Sequence, residues 1–84
     1  MTELERKIIG VANSVPKTHG EYRIISELFI GIAKVMGYKT VTVVGGYTHI
    51  SNPDDHKKVV RIIDGMEKRG IIKLSKSKMA YRVL

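Results

Sequence analysis

Cysteine, tryptophan and glutamine are absent from this 84-residue chain, and each absence closes off a possibility. Without cysteine there is no disulfide framework and no thiolate zinc centre, and a reducing compartment suits the chain. Missing Cys, Trp and Gln beside abundant Ile and many Lys/Arg point toward a thermophilic source, because thermolabile side chains are avoided at high temperature. No run of about 18 apolar residues is present to span a bilayer. Residues 1–15 do not have the pattern of a secretory leader. The expectation is a cytoplasmic protein with no membrane partner. What is there is 43% hydrophobic and 27% charged, enough for one modest core. Residues 1–84 therefore read as a single domain near the lower size limit for folding without staples.

The formal net charge is +7, and it is unevenly placed. From His56 to Leu84 there are nine Lys/Arg (Lys57, Lys58, Arg61, Lys68, Arg69, Lys73, Lys76, Lys78, Arg82) against Asp64 and Glu67. The preceding 55 residues hold six of each sign and cancel. A positive field confined to the last third of a chain is what a phosphate backbone attracts.

Thr2-Glu3-Leu4-Glu5 has capping-box spacing. Leu4, Ile8, Val11 and Val15 follow at helical intervals with Ile9 and Ala12 beside them. A first helix is expected over about residues 3–14, ended by Pro16. Thr18-His19-Gly20-Glu21 offers a second box; alternatively Gly20 to Arg23 is extended and the helix starts near Ile24. Ile25, Leu28, Phe29, Ile32 and Met36 form its broad apolar face, and Gly37 is a natural stop. Arg23, Glu27, Gly31 and Lys34 leave only a narrow polar stripe, while Ile24, Ile30 and Val35 extend the apolar girth. A helix of that kind is buried on more than one side, so a self-association surface is expected there.

Thr40–Val44 and Tyr47–Ile50 are β-prone runs separated by Gly45-Gly46. They read as a tight hairpin, although a loop with one short strand has the same signature. A third helix opens at Pro53 with Asn52 or Ser51 as cap and Asp54 and Asp55 at the positive end of its dipole. Val59, Ile62, Ile63 and Met66 form its buried stripe, and Gly70 ends it. Ile71–Leu74 and Met79–Val83 then alternate as strands around Ser75-Lys76-Ser77-Lys78.

Other motifs are weaker. Val43-Val44-Gly45-Gly46 lacks the Gly-Lys-Ser/Thr ending of a phosphate loop. His19, His49 and His56 lack metal-ligand spacing, and no nucleophile has a plausible base and orienting partner. No enzyme, metal or cofactor is expected.

The helix end Met66-Glu67-Lys68-Arg69-Gly70-Ile71-Ile72, followed by a basic hairpin closing on Tyr81-Arg82-Val83, resembles the winged helix-turn-helix family. The resemblance covers residues 52–84, and the first two helices fit in order and length. The chain departs from the family where Tyr38 to Ser51 replace a short turn; that segment adds a possible DNA-touching loop at Tyr47, Thr48 and His49. The resemblance implies an α+β fold of three helices with a C-terminal β-hairpin wing, and an extra hairpin before the third helix. It implies a duplex-DNA-binding protein, dimeric and regulating transcription, with helix 3 (about 53–69) in the major groove and the wing (73–82) on the backbone. On that reading His56, Lys57, Lys58, Arg61 and Lys68 on the helix and Lys73, Lys76, Lys78 and Arg82 on the wing face nucleic acid. Asp54 and Asp55 oppose close approach of the helix tip and are better read as dipole partners. The homodimer would use Ile24, Phe29 and Ile30. Two rival readings stand beside it: a winged-helix adaptor using those three residues on a protein partner, and an RNA or single-strand binder.

Overall fold

The order of helix and strand follows from where local signals agree with long-range partners and where they conflict. In a computed structural model describing residues 2–84, the order is α1 (Glu3–Ser14), β1 (Lys17–His19), β2 (Tyr22–Ile24), α2 (Ile25–Met36), β3 (Thr40–Thr42), β4 (Thr48–Ile50), α3 (Pro53–Lys68), β5 (Ile72–Leu74) and β6 (Ala80–Val83). The strands form two antiparallel sheets, one of order β1-β2-β6-β5 and a separate β3–β4 pair.

α1 begins as its sequence predicts, with Thr2 Oγ1 accepting from Glu5 N–H at 3.1 Å. Its C-terminal end carries no basic residue in the last turn. Charge arrives from elsewhere: Arg23 Nη1 donates to the carbonyls of Ala12 (3.3 Å), Asn13 and Val15 (2.9 Å). The Tyr81 hydroxyl adds a bond to the Ala12 carbonyl at 2.8 Å. A guanidinium on orphan carbonyls at the negative end of a helix dipole is favourable twice over, as hydrogen bonds and as charge.

The capping-box expectation for Thr18 is overturned. Lys17–His19 and Tyr22–Ile24 form a hairpin, with Gly20 at its turn at φ 62°. The extended alternative wins because β2 pairs with β6 and delivers Arg23 to the end of α1, long-range gains that a local cap cannot match. α2 therefore starts on Ile24 with no side-chain cap, and the carbonyl of Met79 accepts its Ile25 N–H instead (3.0 Å). Gly37 closes the helix in the left-handed region at φ 76°.

Gly31 also departs from expectation. It belongs to the α1–α2 contact rather than to a polar stripe, because a Cβ built there would collide with Val11. Part of the broad apolar girth of α2 is covered within the molecule. Leu28, Ile32 and Ala33 are buried, and Ile25, Phe29, Ile30, Val35 and Met36 pack against the core from its edges. The helix is packed by α1, α3 and the β3–β4 hairpin.

The hairpin between α2 and α3 is present, but its turn is not centred on the two glycines. Gly46 N–H donates to the Val43 carbonyl and Val43 N–H to the Tyr47 carbonyl, both at 3.0 Å. The bend thus lies at Val44-Gly45, with Val44 fully exposed. α3 starts as expected, with Asn52 Oδ1 accepting from Asp54 N–H at 2.8 Å and Pro53 in the first turn. Val59, Ile63 and Met66 are buried beneath it. Glu67 Oε2 accepts from Leu74 N–H at 2.9 Å, fastening the helix end to β5. Among the described residues no helix is long and apolar enough to cross a membrane.

Candidate nucleic-acid interface

Alternation along a strand sends neighbouring side chains to opposite faces of a sheet. Ile72, Leu74, Tyr81 and Val83 belong to the core or pack against it. Lys73 and Arg82, directly opposite one another in register, therefore project from the other face. Continuing the β2–β6 register by one residue sets Tyr22 beside Arg82 on that same face.

The wing turn behaves differently. Lys78 adopts φ 61°, a left-handed conformation unusual for a lysine, and its N–H donates to the Ser75 carbonyl at 2.9 Å. Lys78 lines a crevice with Ile25, Phe29, Val60, Ile63, Asp64 and Leu74. The tip of the wing is thereby folded toward α3. On α3, Lys57, Arg61 and Lys68 are exposed, with no carboxylate within ion-pair distance among the described residues. His56 is exposed with its ring stacked on Phe29, centroids 5.1 Å apart. Lys58 points to the other flank, its Nζ 5.8 Å above the Tyr38 ring and 4.0 Å from Asp55 Oδ1. Asp55 thus pairs with its own helix's lysine while serving the dipole.

The β3–β4 hairpin leans on α2 beside the start of α3. Tyr47, Thr48 and His49 line an apolar cleft of about 290 Å³ whose far wall is Ile25, Phe29, Ile30 and His56. Tyr47 is exposed and its ring lies 6.1 Å from that of His49. Thr48 is less free, since its hydroxyl lies 2.8 Å from that of Thr42.

The basic set read from the sequence is therefore not one surface. Lys78 at the wing tip borders Val60 and Asp64 of α3, Lys57 and Arg61 are exposed on that same helix, and His56 lines the cleft. Lys76 is exposed in the same turn as Lys78. Lys73 and Arg82 stand on the outward sheet face. Arg69 is held by Glu5 of α1 at 3.2 Å. Of the residues expected at a dimer interface, Ile24 is 41% exposed, whereas Phe29 and Ile30 are half-buried walls of the cleft. Sequence reasoning missed Val60 and Asp64 as neighbours of the wing; one signal was available, their spacing of four and eight residues from His56 along a single helix face.

Tyr81 is buried and makes the hydroxyl bond to Ala12 already described. Burial pushes its phenol up to about 12, partly offset by Arg23, with Glu27 adding to the rise.

No family model, curated protein or solved structure matches the chain. The architecture is a small α+β domain of three helices with antiparallel sheets, compatible with a winged helix.

Proposed function

We propose that this domain binds duplex DNA as a winged-helix module of a transcriptional regulator. The N-terminal half of α3 presents His56, Lys57 and Arg61 to the major groove, and Lys76 and Lys78 at the wing tip hold the flanking backbone. The observation that carries this reading is the crevice shared by Lys78 with Val60 and Asp64, which sets the wing tip beside α3. Cations from two elements then border one surface, the arrangement from which counterion release draws its affinity. Tyr47 and His49 extend that border beyond the start of α3. Asp64 works against a uniformly positive surface and sets a limit on how closely the middle of α3 approaches phosphate.

A mobility-shift titration with Lys76→Glu and Lys78→Glu tests the wing. Retention of duplex DNA should collapse if the wing touches phosphate and stay unchanged if it does not. A second reading, a protein-interaction adaptor, is favoured by the apolar cleft between α2 and the hairpin. On that reading the double substitution leaves partner binding intact. Competition among duplex DNA, duplex RNA and single strands at matched salt separates the first reading from RNA or single-strand binding.

A further inference from the structure

Sheet edges invite pairing with other chains unless they are protected by charge, proline or a bulge. Both edges of the four-stranded sheet are protected: β5 carries Lys73, while β1 carries Lys17 and an irregular register between Lys17 and His19. The separate hairpin differs. β4 lies along α2, with Ile50 buried, but β3 has neither charge nor proline in Thr40-Val41-Thr42. Nor does its register with β4 break.

Ser51 N–H donates to the Lys39 carbonyl and Val43 N–H to the Tyr47 carbonyl. Bonded and non-bonded pairs alternate in an antiparallel ladder. Val41 and His49 are therefore the bonded pair between them, and the amide and carbonyl groups of Thr40 and Thr42 point away from β4. The outward edge offers two donors and two acceptors. Its sequence, Thr-Val-Thr, reads the same in both directions.

We infer that the β3 edge is a docking site for a second copy of this chain, with the two β3 strands antiparallel about a two-fold axis at Val41. In that arrangement Thr40 of each copy faces Thr42 of the other, and each such pair exchanges two main-chain hydrogen bonds. All four outward groups of each strand are then satisfied. The two Val41 side chains meet at the axis as a non-bonded pair, and β-branched residues suit such positions. Val41 is 42% exposed, and the neighbouring Val44 and Tyr47 are exposed apolar side chains on the same hairpin. The result is a continuous sheet of order β4-β3-β3-β4 across an isologous interface. This association does not depend on the DNA reading. If that reading holds, the two α3 helices share the same axis and the bound site is palindromic.

The absence of cysteine makes the test clean. In a non-bonded antiparallel pair the Cα atoms lie about 4.5 Å apart, inside the roughly 4.4–6.8 Å range a disulfide accepts. Val41→Cys should form a disulfide-linked dimer rapidly under mild oxidation, whereas Ile24→Cys on the other proposed surface should react only at the rate of random collision. Sedimentation without nucleic acid should show Val41→Glu and Val41→Lys each weakening self-association by at least about tenfold, since each sets like charges face to face. An equimolar mixture of the two should recover a one-to-one dimer, which an unfolded variant could not do. Wild-type protein that stays monomeric at several hundred micromolar overturns the inference. So does cross-linking no faster at position 41 than at 24, or dimers indifferent to charge at 41.

Discussion

Two single residues set the tolerances of this fold. Gly31 lies in the α1–α2 contact, and any side chain there meets Val11. Ala is otherwise the better helix former by nearly 1 kcal/mol, so the sign of a Gly31→Ala substitution reports which effect dominates. The clash is with a β-branched side chain wedged between helices, and overpacking of that kind costs about 1–3 kcal/mol. Gly31→Ala is expected to lower the urea midpoint with an unchanged slope. Tyr81 sets a pH limit. Its phenol is raised to about 12 in the folded protein against an ordinary value of 10.0. The unfolded chain therefore loses this proton first as pH rises. Stability from Tyr81 is complete below pH 10 and lost between pH 10 and 12, by an amount on the order of 2 kcal/mol. Urea titrations at pH 8 and pH 11 should show a larger loss for the wild type than for Tyr81→Phe, which has no proton to lose.

At the level of elements, α1 and α3 were legible because cap, period and stop agree. Thr2 and Asn52 both accept the bonds their positions predict. Asn52→Ala should therefore cost about 1 kcal/mol, read from the urea midpoint. The β1–β2 hairpin was not legible in the same way. Its Thr18-His19-Gly20-Glu21 stretch satisfies a local helix signal, and only pairing with β6, 56 or more residues away in the chain, decides otherwise. The apolar girth of α2 was visible, but its cause was not. Sequence alone does not distinguish a helix covered by its own hairpin from one covered by another molecule. Within the wing, composition gave the charge and alternation gave the strands. Which lysines share a face depends on the register Lys73↔Arg82 and on the left-handed turn at Lys78, both of which are set by the partner strand.

On the scale of the whole molecule, one basic third of the chain becomes several surfaces, and the proposed DNA face uses only part of it. The domain measures 33 × 30 × 20 Å, a length comparable to about one turn of B-form DNA. Affinity on such a footprint comes chiefly from displaced counterions and therefore carries a signature in salt. The most direct measurement is the slope of log affinity against log salt for duplex DNA, compared between wild type and Lys57→Glu/Arg61→Glu. The account predicts a steep negative slope for the wild type, with affinity reduced at least about tenfold and the slope made shallower by about 0.9 for each lost phosphate contact in the variant. A flat salt dependence, or a double variant with wild-type slope and affinity, would contradict it.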